Sequence, residues 1–218
     1  MDNLTLIQRI AVWILPVIFA ITVHEVAHGW VAKKYGDNTA AQLGRLTLNP
    51  FKHIDLVGTI ILPGLLLITG TGFIFGWAKP VPVDARYFKK PRQDMAIVAL
   101  AGPASNLFMA IGWALIARVG VTVGAGNEAI AMPLIYTGVA GISINLVLML
   151  LNMLPIPPLD GSRILSGILP NYWAWQFNKL ERFGFLILLV MLYTKVLNVV
   201  LDYPLYFIQQ WFFTLAGI

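Results

Sequence analysis

The sequence predicts an all-α polytopic membrane protein with about five to six membrane segments, and three observations predict it. Of the 218 residues, 58% are hydrophobic and only 11% carry charge, against about 25% charged in soluble domains. The apolar residues gather into long runs, several near the roughly 20 residues that a helix needs to cross a bilayer. The net charge of +5 concentrates between those runs, which suits an anionic membrane surface and not nucleic acid. The chain has no cysteine, so disulfides and thiolate metal ligands are excluded. No internal repeat or low-complexity tract interrupts it. Residues 1–218 therefore read as one integral-membrane domain, with a core at 10–169 and C-terminal membrane segments at 170–218.

The first segment, 10–32, lacks a cleavage-site pattern and reads as a retained helix, not a signal peptide. Further runs lie at 56–77, 96–117, 134–154 and 183–200. The tail at 205–218 is short for a span and reads as interfacial, as does the piece holding Trp173 and Trp175 beside Lys179 and Arg182. Lys33, Lys34, Arg45 and Lys52 precede the run at 56–77, and Lys79, Arg86, Lys89, Lys90 and Arg92 follow it. The positive-inside rule wants both basic stretches in the cytoplasm. A run broken by Pro63-Gly64, Gly70 and Gly72 meets that demand as a re-entrant hairpin, whose freed backbone groups need protein or water around them. A plain spanning helix is the alternative. With the hairpin, the first and fourth segments run parallel and both end at the cytoplasmic side.

Chemistry enters with "HEVAH" at His24 to His28, set in an otherwise apolar run. Ionisable groups at such depth cost several kcal/mol and usually mark function. On a helix, His24 and His28 share one face, so two neutral imidazoles can grip one zinc ion while Glu25 reaches the water that the ion activates. A catalytic zinc needs a third protein ligand and an open position. "NMLPIPPLDG" ends the fourth segment with prolines at 155, 157 and 158, which stop the helix. Asp160 follows at the same membrane level as the histidines. Taken alone, Asp160 also reads as the N-cap of a helix over 161–169.

"HEVAH" together with "NMLPIPPLDG" resembles the site-2 protease family, membrane-embedded zinc metalloproteases that cut substrates within or near their transmembrane helices. "LAGPASN" and "GRLTLNPFKHID" resemble stretches of its small prokaryotic members. The resemblance covers residues 10–169. It implies His24, His28 and Asp160 as ligands of one zinc ion per chain, Glu25 as general base, and Asn152 as a contact to substrate or oxyanion. It implies single-span membrane proteins as substrates, while the hairpin topology puts the active site in the cytoplasmic half of the cell membrane. PDZ or CBS domains occur in many relatives, and the length leaves no room for one here.

Asn106, inside the third span, is a further candidate substrate contact, with an interhelical hydrogen bond as the alternative. His53 reads as a loop histidine bonded to backbone. The extended stretch 76–84, "GWAKPVPVD", reads either as a linker or as an edge for an unwound substrate. Competing functions are a prenyl-protein type of metalloprotease, which takes a glutamate as third ligand, and a non-proteolytic membrane metal-binding or transport protein, which would not need Glu25.

Overall fold

The computed structural model describes residues 4–62, 65, 68, 76–124 and 126–218, and no strand occurs among them. Helix α1 (Leu6–Lys34) opens with a capping box, in which the Thr5 hydroxyl accepts from the Gln8 N–H and the Gln8 side chain accepts from the Thr5 N–H. It closes with Lys33 and Lys34 in its last turn, where cations complement the helix dipole. A short helix α2 (Thr39–Gln42) follows. Helix α3 (Pro91–Val123) starts on a proline, whose missing N–H costs nothing at a first helical position, and the Asp94 carboxylate accepts from the Lys90 N–H. Helix α4 (Glu128–Met153) ends just before Pro155. Helices α5 (Asp160–Ile168), α6 (Asn171–Asn178), α7 (Gly184–Tyr193) and α8 (Val196–Ala216) complete the chain.

Among the described residues, α1, α3 and α4 are long and apolar enough to cross a membrane, and the bent pair 171–193 and 196–216 is a fourth candidate if counted as one span. Much of the run at 56–77, with its expected hairpin, lies outside the described residues. At its two ends Trp77 donates its N–H to the Gly58 carbonyl at 3.1 Å, and the Thr59 hydroxyl donates to the Trp77 carbonyl at 2.9 Å.

The fifth expected segment, 183–200, is broken near its C-terminal end. Lys195 takes a left-handed conformation (φ 59°), and the helices on either side are bent by 76°. With ten residues, α7 rises about 15 Å, half of the hydrocarbon core. Two polar residues, Thr194 and Lys195, are too few to interrupt an apolar run read by composition. Most of the tail at 205–218 belongs to the 21-residue helix α8, which sends Phe212 and Ala216 into the core. The piece with Trp173 and Trp175 forms α6, with both indoles exposed and the Lys179 ammonium 3.3 Å from the Trp175 ring centre.

Helix α3 is the central element, packed against α1, α4, α5 and α8. Its Ala110, Trp113, Ala114 and Ala117 meet Ile142 and Leu146 of α4 and Phe212 and Ala216 of α8. Small residues let the backbones approach, as expected where lipid removes the hydrophobic drive between helices. A Cβ on Gly138 would stand 2.6 Å from the Ala117 Cβ and 2.8 Å from its backbone N. Along α3 the contacts run from Val98 with His28 to Asn106 with His24, and from Asn106 with Asn145 to Ala117 with Gly138. Thus α3 is antiparallel to both α1 and α4, and these two run parallel.

The Gly138 contact is with backbone that no rotamer can move. Gly138→Ala should therefore destabilise the detergent-solubilised protein by about 1–3 kcal/mol in denaturant unfolding. Gly112→Ala, with nothing within 4 Å of the new methyl, should be neutral or slightly stabilising.

Candidate metal centre

His24 and His28 stand one helical turn apart on α1, their rings edge-to-face with centroids 4.7 Å apart. Asp160 reaches them from the far end of α4. The chain leaves α4 at Leu154, passes the prolines and turns back at Gly161, where a Cβ would collide with the Met153 and Leu154 carbonyls. Helix α5 begins at Asp160 itself, and the N-cap position is Leu159, with no side-chain cap bond. The carboxylate does not cap the helix; it faces the imidazoles.

Three ligand atoms converge. The Nε2 atoms of His24 and His28 are 3.0 Å apart, and the Asp160 Oδ2 lies 3.2 Å from the first and 3.3 Å from the second. An ion holding tetrahedral ligands at about 2.0–2.1 Å sets them about 3.3 Å apart, so the trio matches one face of such a site. Its donor chemistry also asks for a cation. Each ring turns its Nδ1 to a carbonyl oxygen, that of Val98 for His28 at 2.8 Å and the Oδ1 of Asn106 for His24 at 2.6 Å. Those oxygens only accept, so the Nδ1 atoms carry the protons and the Nε2 atoms present lone pairs. The Asp160 carboxylate faces both of these lone pairs. Its Oδ2 is buried without a hydrogen-bond partner. Two lone pairs and an anion meeting at one point repel each other until a positive charge sits between them. Among the described residues, this is the group of His, Asp or Glu side chains placed to share a metal ion.

Two glycine-dependent approaches shape the surroundings. A Cβ on Gly102 of α3 would fall 2.5 Å from both imidazoles, so the rings can stand here only against bare backbone. On α1, a Cβ on Gly29 would meet Val81 and Leu46 at 2.7 Å, which lets the extended stretch 76–84 lie across the helix. That stretch uses its donors internally. The N–H groups of Trp77, Lys79, Val81 and Asp84 go to the Gly58 carbonyl, the His53 carbonyl, the Glu25 Oε2 (2.7 Å) and the Asp37 Oδ2 (2.7 Å). It is a strap fastened over the site, and the same bonds remove most of the donors that an added substrate strand would need. His53 is buried and its Nε2 donates to the Thr47 carbonyl at 2.9 Å.

Of the two readings of Asn106, the structure shows the interhelical hydrogen bond. The residue is fully buried, and its amide is engaged by His24, Ala20 and Asn145. Asn152, in the last turns of α4, is partly buried and donates one amide proton to the Leu148 carbonyl at 3.0 Å. Four residues of the site escaped the sequence reading. Gly102, Val81 and Val98 act through close approach, a backbone N–H and a backbone carbonyl, which no side-chain pattern announces. Asn145 carried a signal, being a lone amide in an apolar run.

Helices long and apolar enough to cross a membrane and a His-His-carboxylate trio placed to share an ion fit the class of membrane metalloproteins. Similarity to known proteins supplies the family. The chain is 43% identical over 194 residues to the Bacillus subtilis protein that bears the name zinc metalloprotease YwhC, covering 86% of this chain and 83% of that one. Two further proteins named as zinc metalloproteases match, Rip2 of Mycolicibacterium smegmatis and MJ0611 of Methanocaldococcus jannaschii. The first is 30% identical over 225 residues, covering 100% of this chain and 80% of the relative. The second is 28% identical over 166 residues, covering 75% and 72%. The chain belongs to this zinc metalloprotease family. No protein-family profile and no solved structure matches it.

The trio and its bare-backbone wall make a quantitative demand. Purified wild type should carry about one zinc, the single ion that a three-ligand site holds. Gly102→Ala, which leaves every proposed ligand in place, should lose most of it in elemental analysis. A Gly102→Ala protein with full zinc would contradict the geometry.

Proposed function

We propose that the protein is an intramembrane zinc endopeptidase of the site-2 protease type, hydrolysing peptide bonds within or near the transmembrane helices of single-span membrane proteins. The observation that carries this is the setting of the trio. His24 and His28 sit inside a 29-residue apolar helix, an ionised carboxylate is brought to them from distant chain, and Glu25 occupies the position between them. His24, His28 and Asp160 would hold the ion. When bound, zinc supplies Lewis-acid polarisation of the scissile carbonyl and acidifies water to a pKa of about 7.

Glu25 moves the proton. Its Oε2 is fixed by the Val81 N–H at 2.7 Å, which leaves Oε1 to take a proton from the attacking water and deliver it to the departing amine. Asn152 keeps an amide proton beyond the one given to Leu148, suited to a substrate carbonyl or the developing oxyanion. A helical substrate shields its own peptide bonds by internal hydrogen bonding and has to unwind before attack. A cavity of about 660 Å³ lies beside the strap, lined by Val83, Met95, Pro157, Ser162 and Arg163 among others, with none of the trio and not Glu25 in its wall.

The bonds joining Gly58 and Thr59 to Trp77 favour a segment that enters and leaves on one side, the re-entrant hairpin of 56–77. That arrangement keeps both basic stretches in the cytoplasm and sets the site in the cytoplasmic half of the cell membrane.

Glu25→Gln separates proteolysis from mere metal binding. It should retain zinc and lower cleavage of a single-span reporter in liposomes by about 10²–10⁴-fold, the contribution of a positioned acid–base group. Undiminished cleavage would overturn the assignment.

A further inference from the structure

Two side-chain amides, Asn106 of α3 and Asn145 of α4, lie fully buried among apolar helices. Buried amides are costly unless every donor and acceptor is matched, and the matching here runs in one direction. The Gly141 carbonyl can only accept, so the group of Asn145 at 2.8 Å from it is Nδ2. The Oδ1 of Asn145 therefore faces Asn106 and accepts from its Nδ2 at 2.9 Å. The other proton of that Nδ2 goes to the Ala20 carbonyl of α1 at 3.3 Å. With both protons committed to oxygens, Asn106 has no choice but to turn Oδ1 to His24, 2.6 Å from Nδ1. A neutral imidazole carries one N–H. The acceptor at Nδ1 claims it and leaves the Nε2 lone pair on the side of Asp160.

We infer that Asn145 and Asn106 are positioning residues, a relay that uses backbone carbonyls of α4 and α1 to set the tautomer and ring orientation of His24 for its metal. The inference rests on the zinc assignment above. His28 needs no such relay, because the Val98 carbonyl meets its Nδ1 directly. The relay also ties the three long helices together at the level of the site, so a role in packing alone is the competing explanation. Another buried polar contact between helices provides the control. Gln209 of α8 donates to the Ser143 hydroxyl of α4 at 2.7 Å and has no link to either histidine.

The experiment measures zinc affinity by chelator competition on the full chain in detergent, for wild type, Asn106→Leu, Asn106→Asp, Asn145→Leu and Gln209→Leu. Loss of an outer-shell partner costs about 10–100-fold in metal affinity. Asn106→Leu should fall in that range and Asn145→Leu near its lower end. Asn106→Asp, which keeps an oxygen facing His24, should recover most of the affinity, and Gln209→Leu should equal wild type. Wild-type affinity in both leucine variants at 106 and 145 would overturn the relay. So would equal weakening by Gln209→Leu, or failure of Asn106→Asp to improve on Asn106→Leu. A wild type without zinc would instead remove the metal assignment itself. Nitrogen-15 spectra of the zinc-free wild type, which has only three histidines, test the same point whether or not the variants fold. They should show His24 protonated at Nδ1, and a ring protonated only at Nε2 would refute the relay.

Discussion

The closeness of α3 to α1 at Gly102 is the constraint on which the rest of the structure depends. With no side chain at 102, two imidazoles stand against helix backbone where any Cβ would exclude them. The same stripe of α3, at four-residue spacing, supplies the Val98 carbonyl on one side of Gly102 and the Asn106 amide on the other. One face of one helix thus shapes the pocket for both rings and dictates where their protons reside. Because α4 is antiparallel to α3, its end arrives level with α1's histidines, and the turn at Gly161 delivers Asp160.

Most of the polar groups around the site, among the described residues, are met from within. The two asparagines satisfy each other and two backbone carbonyls, Asp37 secures the strap through the Asp84 N–H, and Val81 holds Glu25. What is left over is the convergence of two nitrogen lone pairs and the Asp160 Oδ2. In water such a convergence would simply be solvated. Between apolar helices it is tolerable only around a cation, which is why chemistry and fold stability meet at the same point. Glu25, on the side chain between the ligands, is tied by one oxygen alone, and that single bond leaves it oriented while keeping the other oxygen available.

How much of this was legible in the sequence depended on how local the signal was. The four-residue spacing of His24 and His28, with Glu25 beside the first, is a property of one helix, and it can be read without knowing any neighbour. Asp160 needed one further step, the prolines that end a parallel helix at the same depth. The relay was half visible: Asn106 stood out as an amide in an apolar span, but its partner Asn145 and its direction toward His24 depend on the pairing of three helices. Gly102 and Val81 act through an absent side chain and a backbone proton, so composition and periodicity are blind to them. The break at Lys195 was hidden for a different reason. The bend at Lys195 adds only Thr194 and Lys195 as polar residues, and the otherwise apolar run over 183–200 conceals two helices.

The central claim is that His24, His28 and Asp160 surround one ion through the atoms that already face each other. X-ray absorption at the zinc edge of the purified wild-type protein tests it most directly. The account predicts a four-coordinate shell of nitrogen and oxygen at about 2.0–2.1 Å, with outer scattering from two imidazoles. An oxygen-only shell, or scattering from fewer than two imidazoles, would contradict it.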